Sequence, residues 1–209
     1  MQISRKSIIS IILIWLFNFT EITGVLFGYK EKVMTFAPVK LLVYLGIILW
    51  NSERNKKLFL GLLIPFGFGM FIEYVGVNYD SVFGTYEYGE NLGIKLFGVP
   101  LLIGFNWAMI TYCTSAIAEK ISPKIIVTSI LGALLFVALD IVVEFSAPRF
   151  DFWELKSGIP FLREYFWWLI ASFITHLLFL KIYNKSFKYP IAVHVFIALF
   201  VFSTVFIFF

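Results

Sequence analysis

Apolar runs close to twenty residues long follow one another along the whole chain, and that repeat leaves few folds open. An α-helix rises about 1.5 Å per residue, so about twenty apolar residues cross the roughly 30 Å hydrocarbon core of a bilayer. Inside that core every backbone N–H and C=O needs a partner within the spanning structure, and a run of this length meets the demand as a helix. Charged residues make up only 14% of the 209, too few to cover a water-soluble domain. The sequence therefore reads as an all-α, polytopic membrane helical bundle, one integral-membrane domain over residues 1–209. About seven transmembrane helices are expected, near residues 7–27, 36–50, 58–77, 99–118, 125–146, 162–180 and 190–209. Pro65 and its neighbouring glycines point to a kink in the third. Arg5 and Lys6 before an apolar stretch imitate a secretory signal, but Glu21, Thr23 and Gly24 stand where a small-residue cleavage site would, so the first helix reads as retained.

Basic residues set the expected orientation. With the N-terminus in the cytoplasm, the cytoplasmic segments carry Arg5, Lys6, Arg54, Lys56, Lys57, Lys120, Lys124, Lys181, Lys185 and Lys188 against Glu53 and Glu119. On the other side Lys30, Lys32, Lys40, Lys95, Arg149, Lys156 and Arg163 are balanced by Glu31, Asp80, Glu87, Glu90, Asp151, Glu154 and Glu164. The positive-inside bias gives an N-in, C-out topology, with the lipid bilayer, here a bacterial cytoplasmic membrane, as the surroundings. It also accounts for the formal charge of +4, so no nucleic-acid partner is called for. Cys113, alone in an apolar run, has no partner for an internal disulfide.

The segment from Gly84 to Trp107 is richer than a connector needs to be. It holds Tyr86 and Tyr88, the carboxylates Glu87 and Glu90, the glycines Gly84, Gly89, Gly93 and Gly98, and Val99-Pro100 opening the next apolar run. Glycine and proline are turn and helix-start chemistry. The aromatic and acidic content fits either an ordered membrane-surface loop with interfacial tyrosines or the mouth of a pocket. The expected topology puts a second such loop, residues 147–160, on the same side.

Four carboxylates fall inside apolar helices: Glu21, Glu73, Asp140 and Glu144. Each would cost about 2.5–3.5 kcal/mol at the bilayer centre, so they should face a protein interior or cavity. All lie toward the end that bears the aromatic loops. Asp140 and Glu144, four residues apart, share one helix face. Two carboxylates one turn apart repel when both are ionised, which favours keeping one protonated, a general acid in an apolar pocket. The structural alternative is a neutral carboxyl bonded to Tyr, Trp or Thr of a neighbouring helix. His176 and His194 stand singly on the last two helices, where a hydrogen-bonded core role is the simpler reading. The chain has no histidine boxes for a di-iron centre, no aspartate-rich pair for a metal diphosphate and no lysine on the last helix for a Schiff base.

The stretch FIEYVGVNYDSVFGTYEYGENLGIKLFGVPLLIGFNWAMI resembles the integral-membrane carotenoid biosynthesis proteins related to bisanhydrobacterioruberin hydratase. The resemblance is carried by Glu73, Gly76-Val77, Phe83-Gly84, Tyr86, Tyr88-Gly89, Leu92-Gly93, Lys95, Val99-Pro100 and Asn106-Trp107. A second stretch adds Asp140, Glu144, Phe152-Trp153, Gly158, Ile159-Pro160 and Trp167. The chain departs from the family pattern around Tyr79 and Asp80 and at Phe145, Arg163 and Phe166. The resemblance implies addition of water to the terminal double bond of an acyclic carotenoid, giving a tertiary alcohol, with no cofactor and no metal. The residues suit that chemistry. Asp140 is the expected proton donor, with Glu144 or Glu73 as its partner and handler of water. Tyr86, Tyr88, Trp107, Trp153 and Trp167 are the expected rings around the substrate and its cation. The substrate would be a carotenoid, and other carotenoid-pathway enzymes are possible partners. Two alternatives stay open: a membrane cyclase of the lycopene type, which shares the protonation step, and a non-enzymatic seven-helix binding or scaffold protein.

Overall fold

A computed structural model describes residues 4–52, 56–79, 83–156, 162–183 and 187–209. The charges Glu53, Arg54, Asp80 and Lys185 and the motif residues Gly158, Ile159 and Pro160 lie outside the described residues. The helices are α1 Arg5–Leu26, α2 Lys30–Met34, α3 Ala37–Asn51, α4 Lys56–Asn78, α5 Leu101–Ile121, α6 Ile125–Ser146, α7 Leu162–Ile182 and α8 Tyr189–Phe208. Among the described residues seven helical spans are long and apolar enough to cross a membrane, α2 and α3 together forming the second. The protein is an integral membrane helical bundle.

Local chemistry sets several helix ends. Ser4 caps α1 by accepting from the Ser7 N–H at 3.2 Å. Proline stands in the first turn of α3 and of α8, where its missing N–H costs nothing. Pro65 lies within α4, which runs on as one helix across it. One expected start moves: Val99 and Pro100 do not open α5 but form a short strand, because Pro100 is extended (φ −61°, ψ 133°) and caps the helix at Leu101.

Water supplies little drive for helices to pair inside a membrane, so close approach depends on small residues. Helix α5 has them: Gly104, Ala108, Cys113, Thr114, Ser115, Ala116 and Ala118 are all buried. It packs against α3, α4, α6, α7 and α8 and is the most buried span. Helices α4, α5, α6 and α7 each touch the next, and α4 touches α7, which closes a four-helix ring. Helices α1, α3 and α8 pack along one side of it.

The two loops are not plain loops. Tyr86–Tyr88 (β1) pairs antiparallel with Trp153–Leu155 (β4), with Tyr88 opposite Trp153 and Tyr86 opposite Leu155. Lys95–Leu96 (β2) pairs with Val99–Pro100 (β3) in a tight hairpin, where Phe97 and Gly98 both take positive φ. The β1–β4 ribbon brings the two aromatic segments to the same end of the bundle.

One charge assignment is corrected. Lys40 is not among the surface cations balancing the loops. It is buried in α3, ion-paired with the buried Glu21 of α1, and lies 4.1 Å from the centre of the Phe202 ring. A charge in this position needs a partner, and Glu21 provides it.

Candidate functional site

The site is built around Glu73. Gly69, Glu73 and Gly76 are spaced by four and three residues, so they share one face of α4. The glycines admit the rings that reach Glu73. A Cβ at Gly69 would lie 2.4 Å from the Trp107 ring, and one at Gly76 would lie 2.3 Å from the Tyr86 hydroxyl. Trp107, from α5, donates its indole N–H to Glu73 Oε1 at 2.9 Å. The hydroxyls of Tyr86 and Tyr88 both donate to Glu73 Oε2, at 2.6 and 2.7 Å. Tyr86 and Tyr88 alternate with the exposed Glu87, so the period of a strand turns both phenols inward. Burial, followed by the Glu73 charge, holds both phenols well above their ordinary pKa, which keeps them as donors. Three donors on two oxygens match the acceptor-only valence of an ionised carboxylate.

Asp140 and Glu144 enter from the facing helix, α6, one turn apart. Tyr165 of α7 donates to Glu144 Oε2 at 3.0 Å. Asp140 makes no hydrogen bond to another described residue. Glu73, Asp140 and Glu144 line one cavity inside the four-helix ring and beneath the β1–β4 ribbon. Its remaining walls are mostly aromatic. Trp107 packs on Phe136 with centroids 4.8 Å apart and faces Trp168 at 6.1 Å. Tyr86 stands 5.8 Å from Tyr88 and 6.3 Å from Trp168, and Tyr88 stands 6.1 Å from Trp153. Phe83 closes the cage against Trp168 at 5.1 Å.

The structure thus gathers Asp140, Glu144, Glu73, Tyr86, Tyr88, Trp107 and Trp153 into one cavity. It does not bring Trp167 there. Trp167 is exposed on the outer face of α7, and the tryptophan in the cavity is Trp168. Adjacent helix residues point about 100° apart, so only one of the pair can face inward. The buried stripe Glu164, Ala171, Thr175 extends through Trp168 at helical spacing and marks the inward choice. Phe136, one turn before Asp140, lines the cavity with no sequence signal of its own, and Phe83, which the sequence offers only within the Phe83-Gly84 motif, lines it too. Glu21 is held by Lys40 and is not part of this acid group.

Two further cavities adjoin the first. An apolar one lies between α3, α5, α6 and α8 and shares Ile103, Asn106, Ile110 and Trp153 with the acid chamber. A polar one, lined by Glu87, Asp151 and Glu154, opens among the loops and shares Tyr88 and Trp153 with it. Trp153 is common to all three.

The histidines have internal partners. His176 Nδ1 meets the Ser172 carbonyl at 2.7 Å, and Nε2 meets the Thr114 hydroxyl at 2.7 Å. Trp15 donates to His194 Nδ1 at 3.0 Å. Among the described residues no three His, Cys, Asp or Glu side chains converge closely enough to hold a metal ion.

Compared with known proteins, the sequence matches the family described as carotenoid biosynthesis protein over residues 31–209. No curated protein and no solved structure matches it.

Proposed function

The chain belongs to the carotenoid biosynthesis protein family, and on that premise we propose that it is a carotenoid hydratase. It adds water to the terminal C=C of an acyclic carotenoid end and leaves a tertiary alcohol. The observation that carries this reading is the unequal bonding of the acids. Glu73 is saturated by three donors, whereas Asp140, in the same cavity, has no hydrogen-bond partner among the described residues.

The division of labour follows from that contrast. Asp140, in its protonated form, gives its proton to the CH carbon of the terminal double bond. The positive charge then rests on the carbon bearing two methyl groups. The faces of Trp107, Trp168 and the two tyrosines surround this position, and a cation against a desolvated aromatic face gains about 2 kcal/mol. Glu73 cannot collapse onto the cation, because its oxygens are held by three donors, so it contributes as a fixed negative charge. Glu144, nearer the polar mouth, is placed to accept a proton from the incoming water. The rest of the chain lies along apolar helix surface. The lipid-facing location suits such a substrate, and we place the protein in a bacterial cytoplasmic membrane with the N-terminus inside.

A cyclase would share the first step but would have to keep water away from the cation. The polar cavity next to the acids favours hydration. Expression in bacteria that make lycopene or γ-carotene tests the reading. A pigment heavier by one water supports it, whereas a pigment of unchanged mass but altered spectrum indicates cyclisation.

A further inference from the structure

Asn106 stands where the acid chamber and the apolar cavity meet, and its side chain lines both. Ile103 and Ile110, which flank it at helical spacing on α5, line both cavities too. The amide makes no hydrogen bond to another described residue. A half-buried amide among isoleucines and aromatic rings is costly unless something polar meets it. Trp153 is a wall the chamber shares with the polar loop cavity.

We propose that Asn106 is a water site, holding the molecule that captures the cation; this rests on the hydration reading above. A carbonyl oxygen that accepts one O–H of the water leaves a water lone pair free to face the cation. An amide suits the task because it is too weak a base to strip a proton from the cation. A carboxylate there would favour return to an alkene. The step balances as follows. The Asp140 carboxyl proton moves to the alkene carbon, and the water oxygen forms a bond to the cationic carbon. The surplus proton of the bound water returns to the carboxylate pair, so alkene plus water gives alcohol with the acid restored. Asn106 touches the nucleophile, not the proton donor, so its loss should change what becomes of the cation rather than how often it forms.

Asn106→Leu removes the amide at nearly constant size, and Asn106→Ser keeps a polar group. Each is assayed in membranes in heavy water, reading the hydrated fraction and the deuterium in recovered carotenoid. For Asn106→Leu the hydrated fraction should fall at least about 10-fold, as expected when an ordered water loses its partner. Deuterium should still enter the recovered alkene, because protonation and its reversal continue. Asn106→Ser should restore part of the hydration. Hydration by Asn106→Leu within about two-fold of the wild type, read on the same scale of an ordered water's worth, overturns the water site alone. Loss of deuterium uptake together with hydration in both variants also overturns it, in favour of a structural role. A wild-type protein that neither hydrates nor exchanges overturns the hydration reading and the water site with it.

Discussion

Glu73→Gln separates the part of the site that holds the fold from the part that does chemistry. The carboxylate accepts from Trp107 on one oxygen and from Tyr86 and Tyr88 on the other. Glutamine offers one acceptor and one NH₂. If its carbonyl takes the two phenols, its NH₂ faces the Trp107 N–H, and two donors oppose each other in a buried place. The lost bond to a charged group is worth about 1.5–3 kcal/mol, and each of the two remaining bonds weakens by about 1 kcal/mol on becoming neutral. The three effects share one side chain and are not additive, so about 3–5 kcal/mol is an upper figure. Asp140→Asn, by contrast, breaks no hydrogen bond to another described residue. Thermal unfolding of detergent-solubilised protein is the assay, with protease sensitivity of the 84–107 segment beside it. Glu73→Gln should unfold at clearly lower temperature and expose the segment, while Asp140→Asn should melt like the wild type. Equal melting of Glu73→Gln and wild type would refute the idea that Glu73 is the anchor of the loops.

Three other outcomes follow from the same geometry. Trp168→Ala should lose most of the activity at near-normal yield, whereas Trp167→Ala on the outer face should stay within about two-fold of the wild type, as surface changes generally do; product measured per unit of folded protein decides it. Lys40→Ala leaves the buried Glu21 charge without its partner and should cost about 3–5 kcal/mol, recovered in part by the double change with Glu21→Gln, as thermal melting would show. Lys57→Cys should react with an impermeant thiol reagent only from the cytoplasmic side and Glu90→Cys only from the opposite side, and the reverse pattern would turn the topology over.

Helices were legible in the sequence because the bilayer imposes their length. Residues 125–146 were read as a span from apolar content alone, and α6 occupies that range. The β1–β4 pairing was not legible, since strands of three residues carry too little pattern and their partner lies more than sixty positions away. The inward alternation of Tyr86 and Tyr88 around Glu87 was its one local trace. Intramembrane acids were visible as costly residues, but their bonding was not. Glu73 turned out to be held by three donors and Glu21 by a lysine that the charge pattern had assigned to the surface. The choice between Trp167 and Trp168 needed the phase of α7, which the neighbouring Ala171 and Thr175 supply only once helical spacing is applied. Asn106 stands out in the sequence only within the Asn106-Trp107 motif, and that its amide meets no hydrogen-bond partner among the described residues shows only in three dimensions.

The central claim is that Asp140 protonates a terminal alkene and water completes the reaction. It is tested most directly with purified protein, an acyclic carotenoid, and water labelled with heavy oxygen and deuterium. The wild type should give a tertiary alcohol carrying the heavy oxygen on one carbon and deuterium on its neighbour. Asp140→Asn, melting normally, should form it at least about 10²-fold more slowly, the lower range for a lost general acid. An Asp140→Asn protein that forms the doubly labelled alcohol at the wild-type rate would contradict the account.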